Sequence, residues 1–207
     1  MANFITIFRI LLVFISISLL FSHNSYAYIC AIVLTVIAFS LDGVDGYIAR
    51  KFNETSKLGA VLDIMSDRIV ENTFWVTFAV LGWLPVAYPI VALTRGFVVD
   101  GLRSVAMEQG YTAFGDLTMQ EGKFSYFICC SKFSRITYAV SKLVAFGLMI
   151  VAKAPGLYFL SRWHWYLNIT ADLAAFIAIE FCVIRALPVL FESKKFFKKQ
   201  EKVIEKI

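Results

Sequence analysis

The chain carries too little charge to be a soluble domain. Asp, Glu, Lys and Arg make up 17% of its 207 residues, apolar residues 59%, and the mean hydropathy is +0.73. That balance points to a polytopic membrane protein. Cysteine is sparse: Cys30, Cys129, Cys130 and Cys182 show neither zinc-site spacing nor a secreted disulfide framework. The adjacent Cys129 and Cys130 read as packing or interfacial residues rather than a redox pair. Histidine is limited to His23 and His164, and no internal repeat is visible. The net charge of +5 suits a protein facing anionic lipid, and so little soluble mass disfavours the alternative of nucleic-acid binding.

At about 20 apolar residues per span, the length holds six helices and little else. The fold class expected is therefore all-α, a polytopic integral membrane protein with six transmembrane helices. The spans fall near Phe4–Phe21, Tyr28–Ile48, Leu58–Leu81, Pro85–Val105, Ile136–Ala152 and Tyr166–Leu190. They make one membrane domain over residues 1–191, followed by a basic amphipathic tail over 192–207 that suits an anionic leaflet. Asn24-Ser25-Tyr26-Ala27 looks like a signal-peptide cleavage site. No charge precedes the first apolar run, however, and Arg9 lies inside it, so a retained helix is favoured.

Charge sets the expected topology. The connections near 22–27 and 82–88 contain no Lys or Arg, and the one near 153–165 has only Lys153 and Arg162. Arg50, Lys51, Lys57, Lys123, Lys132, Arg135 and the lysine-rich tail all fall on the other side. By the positive-inside rule both termini are cytoplasmic, in the inner membrane if the source is bacterial. Trp83, Tyr88, Trp163, Trp165 and Tyr166 gather at the opposite face, as an aromatic belt does.

The most informative stretch is Leu41 to Asp67. It places Asp42 and Asp45 near the end of one span, and Asp63 and Asp67 near the start of the next. An aspartate at the centre of a membrane helix costs roughly 2.5–3.5 kcal/mol on insertion scales, so four demand compensation. Spacings of three and four residues project each pair from one helical face. Measured from Lys51 and Lys57, both pairs lie roughly 9–15 Å inside the boundary, at matching depth on antiparallel helices. Two facing carboxylate pairs make an all-oxygen site for divalent cations. The alternative is a set of intramembrane ion pairs with Arg9, Arg68 or Arg95. Gly46 and Ala49 share the Asp42/Asp45 face, where larger side chains would block a bound nucleotide. Gly59, one turn before Asp63, permits close approach. Arg50 can fork onto phosphate oxygens. With both histidines on the outer side, no Ser–His or Cys–His arrangement offers a covalent nucleophile.

Asp42, Asp45, Gly46, Ala49, Arg50, Gly59, Asp63 and Asp67 meet every position of a signature. It runs Asp, two residues, Asp-Gly, two residues, Ala-Arg, eight residues, Gly, three residues, Asp, three residues, Asp. On these residues the chain resembles the CDP-alcohol phosphotransferases, most closely over 41–67. The resemblance implies transfer of a substituted phosphoryl group from a CDP-linked alcohol to an acceptor hydroxyl, with release of CMP. It also implies a Mg²⁺ or Mn²⁺ site, of the two-metal kind. It implies Asp42, Asp45 and Asp63 as metal ligands, and Asp67 as both metal contact and base. Ser56, Asn3 and Thr6 resemble family positions that touch the nucleotide. The implied partners are CDP-diacylglycerol, a small polar acceptor, membrane lipid and a second copy of the chain, paired through the third and fourth helices at Gly82 and Gly96.

Arg95 and Arg103 lie eight apart on one face of the fourth span, and Lys132 and Arg135 precede the fifth. In relatives with a phosphorylated acceptor, basic residues in these regions hold its phosphate, which makes glycerol 3-phosphate the leading acceptor. Gly96 stands where that subgroup usually has an acidic residue, and Ser131-Lys132 or Ser134-Arg135 where it has Gly-Lys. Inositol phosphate, serine or another alcohol remain alternatives. A small divalent-cation transporter is the reading from another class, disfavoured because the acids cluster toward one face. The connection 109–135 is either a mobile cover or a passive loop.

Overall fold

The computed structural model describes residues 2–22, 24–51, 57–108, 122–155 and 161–204. Within them the chain forms helices α1 (Ala2–Leu20), α2 (Ser25–Lys51), α3 (Lys57–Val80), α4 (Ala87–Glu108), α5 (Lys123–Cys130), α6 (Lys132–Lys153) and α7 (Ser161–Ile204). All but α5 have 19 residues or more, and they coincide in order with the six apolar segments of the sequence. The chain is an all-helical integral membrane protein. Among the described residues, three stretches are long and apolar enough to cross a bilayer: Ser25–Gly43, Ser125–Lys153 and Trp163–Ser193. Phe4–Leu20 is apolar but shorter. Charges set α3 and α4 apart: Asp63, Asp67, Arg68 and Glu71 on one, Arg95, Asp100 and Arg103 on the other.

Three boundaries differ from expectation. Part of the connection 109–135 is helical, because the apolar run Phe124–Cys130 forms α5; residues 109–121, and with them the question of a cover, lie outside the described residues. Lys132 and Arg135 stand in the first turn of α6 rather than in a loop. The boundary at residue 191 falls inside α7, whose 44 residues continue past it.

The contacts divide the chain into two compact units. One comprises Met1–Pro89 with Ser141–Phe176, the other Ile90–Val140 with Ile177–Ile207. In the first, α1 packs on α2 and α3. The Ser16 hydroxyl, fully buried, donates to the Ala31 carbonyl at 2.9 Å and lies 3.0 Å from the Thr35 hydroxyl. Such hydroxyl contacts join helices where lipid supplies no hydrophobic drive between them. An aromatic cluster then locks α3 against α2 and α6. The Phe146 ring lies 4.9 Å from those of Phe74 and Trp75, 5.7 Å from Phe78 and 5.9 Å from Phe39. Gly82 ends α3 with φ +71°, a conformation that disfavours side chains, while the Trp83 N–H reaches back to the Phe78 carbonyl at 2.8 Å. Gly82 thus serves this turn, and Gly96 is buried.

The second unit is built around Val99, Ala106, Cys129, Ala186 and Val189, with Leu102 packed against them. Ser131, in extended backbone, separates α5 from α6. Its hydroxyl accepts the Ser134 N–H at 3.1 Å and so caps α6, while the Ser134 hydroxyl returns to the Ile128 carbonyl at the end of α5.

Candidate active site

In the first unit, α1, α2 and α3 converge on one cation. Arg9 of α1 is 2% exposed; its Nη1 pairs with Asp42 Oδ1, and its Nη2 donates to Asp67 Oδ1 at 3.0 Å and to the Ser66 hydroxyl. The Ser66 hydroxyl, itself fully buried, donates to the Asp63 carbonyl at 2.9 Å. Because Asp42 and Asp67 meet the same guanidinium, the carboxylates of α2 and α3 lie at one depth, as the antiparallel spacing predicts. The far end of the same helices agrees: Tyr28 of α2 lies 6.0 Å from Trp83, which follows α3.

The ion-pair alternative is realised for two of the four aspartates. The contacts are to Oδ1 of each. The side chains of Asp42 and Asp67 are 36% and 51% exposed, while their counter-charge, Arg9, is 2% exposed. Two carboxylates share one guanidinium and keep a net negative charge. The donor set is purely carboxylate oxygen, which fits a hard divalent cation such as Mg²⁺ or Mn²⁺. Among the described residues no three His, Cys, Asp or Glu side chains are grouped closely enough to hold a metal. Asp45, which would be the third ligand, lies on α2, but its side chain is outside the described residues.

Other expected site residues divide in the same way. Asp63 is exposed on α3, one turn before Asp67, and Gly59 is half-buried one turn earlier. Thr6 is buried on α1, one turn from Arg9. Asn3, Gly46, Ala49 and Arg50 belong to helices α1 and α2, with side chains outside the described residues; Ser56 lies wholly outside them. One turn beyond Asp67, Glu71 continues the Asp63–Asp67 stripe. It accepts from Lys142 of α6 at 3.1 Å and lies 3.9 Å from Arg68.

The second unit gathers arginines. Arg95 Nε donates to the Cys182 carbonyl at 3.1 Å, and Arg103 Nη2 to Cys129 Sγ at 3.3 Å. A third, Arg185 of α7, is buried, with Nη1 on the Ser134 carbonyl at 3.2 Å and Nη2 on the Cys129 carbonyl at 3.1 Å. Arg95 and Arg185 both lie over the Tyr138 ring, at 6.0 and 5.1 Å from its centroid. Part of this arrangement is structural: the carbonyls ending α5 form a negative helix terminus, which favours cations. Lys132 is exposed and Arg135 half-buried at the start of α6.

Arg185 is the residue that sequence reasoning misses. Its signal is present, since a cation deep inside an apolar segment marks a functional candidate by default. Arg9 is visible in the sequence only as an ion-pair alternative, and nothing local singles out Glu71 or Lys142.

Comparison with known proteins gives one coherent result. The sequence profile of the CDP-alcohol phosphatidyltransferase family matches residues 1–175. A protein of Haemophilus influenzae named CDP-diacylglycerol--glycerol-3-phosphate 3-phosphatidyltransferase is 29% identical over 119 residues, 52% of this chain and 59% of the relative. Proteins of the same name from Bacillus subtilis and Pseudomonas fluorescens are 33% identical over 84 residues and 31% over 124. Those matches cover 41% and 55% of this chain, and 44% and 59% of the relatives. The chain thus spans about half the length of the curated relatives it matches.

Proposed function

The chain belongs to the CDP-alcohol phosphatidyltransferase family, and on that premise we propose that it transfers the phosphatidyl group of CDP-diacylglycerol to the hydroxyl of glycerol 3-phosphate, releasing CMP. The observation that carries this reading is the convergence of Asp42 and Asp67, from separate helices of the signature, on one cationic centre. The names of the relatives support the acceptor.

The roles follow from the residues. Asp42, Asp45, Asp63 and Asp67 are assigned the divalent cations. When bound, these would neutralise charge that grows on the pyrophosphate as the leaving group departs. Asp67 accepts the proton of the acceptor hydroxyl as its oxygen bonds to the lipid-linked phosphorus and the bond to the CMP oxygen breaks. Gly46, Ala49 and Gly59 leave room for the nucleotide, Arg50 holds donor phosphate oxygens, and Asn3, Thr6 and Ser56 border the cytidine. In the second unit Arg95, Arg103, Lys132 and Arg135 are assigned the acceptor phosphate, and Arg185 joins them through its place beside Arg95 on Tyr138.

Positive-inside charge supports a cytoplasmic position for both termini and the aspartates. The aromatic residues at the opposite end of the first unit support the same orientation: Trp163, Trp165 and Tyr166 are all more than half exposed. A homodimer is the assembly that the family resemblance supports, and crosslinking in bilayers tests it: exclusive recovery of monomer overturns it.

The deciding experiment incubates purified protein with labelled CDP-diacylglycerol and a panel of acceptors. Phosphatidylglycerophosphate as the labelled product supports the assignment. Turnover confined to an unphosphorylated alcohol replaces the acceptor and leaves the reaction class intact.

A further inference from the structure

We propose that Arg9 is a positioning residue of the transfer site, a buried fork that fixes the carboxylates of Asp42 and Asp67 relative to each other. The proposal rests on the reading of those carboxylates as metal ligands and base.

Three observations carry it. First, the guanidinium assigns separate nitrogens to separate helices: Nη1 to Asp42 of α2, Nη2 to Asp67 and Ser66 of α3. A planar fork fixes both distance and orientation between its partners, whereas an ammonium is a single point charge that fixes neither. Second, exposure is split. Arg9 is 2% exposed, while its partners are 36% and 51% exposed. An ion pair with exposed members contributes little to stability, because those members are screened, so stability alone is a poor reason for this arrangement. Here only the cation is sealed, and the carboxylates are braced from below with their outer sides accessible. Third, the bracing continues. Ser66 accepts from Arg9 and donates to the Asp63 carbonyl, so one turn of α3 carrying two signature aspartates is tied to α1. The Arg9 Nε is buried without a hydrogen-bond partner. An unmade bond at a buried charge is a cost that packing alone does not explain.

The role makes a prediction opposite in sign to simple electrostatics. Removing a positive charge beside two carboxylates should, by Coulomb attraction alone, tighten binding of a divalent cation. If Arg9 instead fixes the geometry of the carboxylates, its removal lets them part and weakens binding. Groups that orient metal ligands typically contribute about ten- to hundredfold in affinity or activity.

The test uses the full chain, purified in detergent, as wild type, Arg9→Gln and Arg9→Lys. Mn²⁺ binding is titrated by electron paramagnetic resonance without substrate, alongside CMP-release kinetics and thermal unfolding. For Arg9→Gln the expected result is a Mn²⁺ dissociation constant raised about tenfold or more. Its kcat should fall about hundredfold, and its KM for CDP-diacylglycerol should change less than about threefold. Arg9→Lys should recover the unfolding midpoint but not kcat, because it keeps charge and loses the fork. Unchanged or tighter Mn²⁺ binding in Arg9→Gln, or wild-type kcat in Arg9→Lys, overturns the proposal. Failure of both variants to fold assigns Arg9 to stability and overturns it as well. The underlying reading fails separately and visibly: wild-type protein that binds no Mn²⁺ removes the metal site itself, and with it the role of Arg9.

Discussion

Lys142 of α6 donates to Glu71 of α3 at 3.1 Å, with 11% and 4% of the respective side chains exposed. The pair ties the helix that carries Asp63 and Asp67 to a neighbour, one turn beyond the site and beside the aromatic cluster around Phe146. A buried pair of this kind is weak evidence for stability as a whole, yet removing Lys142 leaves the buried Glu71 carboxylate to the longer contact with Arg68 at 3.9 Å. Lys142→Met is therefore expected to destabilise the protein by about 3–5 kcal/mol, with Glu71→Gln alone costing less because the amide is neutral. The double variant Glu71→Leu with Lys142→Met should regain most of the loss, since packing replaces the desolvated charges. Unfolding of the purified variants in detergent measures all of these. A Lys142→Met cost below about 1 kcal/mol would show that the pair is solvated in the bilayer.

Asp42→Asn, Asp45→Asn, Asp63→Asn and Asp67→Asn should each lower kcat for CMP release by about hundredfold or more, with the protein still inserted and folded. The amide preserves volume and removes the charge that binds a cation or takes a proton. The four should differ in one respect: Asp67→Asn should retain more Mn²⁺ affinity than Asp42→Asn, because its principal role is with the acceptor proton. Wild-type turnover with unchanged metal dependence in any of the first three removes that residue from the metal site.

Much of this site is legible in the sequence alone. Spacing within 41–67 predicts both carboxylate pairs, and antiparallel spans predict that the two pairs lie at matching depth. The sequence names the partner from α1 only as one of three ion-pair candidates, Arg9, Arg68 and Arg95, and does not choose among them. Arg9 lies 33 residues before Asp42, and no local periodicity encodes a contact between helices. The same limit hides Lys142, which is 71 residues from Glu71. Arg185 escapes for a different reason. Helical spacing on one span brings Arg95 and Arg103 forward, and their place before the fifth span brings Lys132 and Arg135, while a lone arginine deep in the last span stays unmarked. The fold itself is easier, because apolar length and charged flanks mark helices directly. The exception is α5, where a short apolar run between polar residues reads as loop.

Transfer should depend on a divalent cation. Treatment with chelator followed by removal of bound metal should abolish CMP release, and Mg²⁺ or Mn²⁺ should restore it, with softer metals failing to do so. The carboxylate set around Arg9 is the reason: it offers hard oxygen donors and retains net negative charge. Full turnover in excess chelator, with metal absence verified by elemental analysis, would falsify the metal assignment for all four aspartates together.

The acceptor is the riskiest assignment and the most informative to test. If the arginines of the second unit bind a phosphate on the acceptor, Arg95→Gln and Arg103→Gln should raise the KM for glycerol 3-phosphate. The KM for CDP-diacylglycerol should move much less, because Arg50 and the aspartates are assigned that substrate. Loss of one charge-assisted hydrogen bond is worth about 1.5–3 kcal/mol, roughly ten- to hundredfold in kcat/KM. The structure adds a control that the sequence does not. Arg95 braces the Cys182 carbonyl and Arg103 the Cys129 sulfur, so each variant needs its unfolding midpoint measured beside its kinetics. Arg185 braces two carbonyls from a buried position, so Arg185→Gln should lower stability as well as acceptor affinity. Lys132, exposed at the start of α6, should show the smallest structural effect of the set, and Lys132→Gln therefore reports binding with the least interference. A selective rise in acceptor KM at unchanged stability supports phosphate recognition by this cluster. Equal changes in both KM values, or turnover with an unphosphorylated alcohol alone, would assign these cations to the fold and leave only the donor half of the reaction standing.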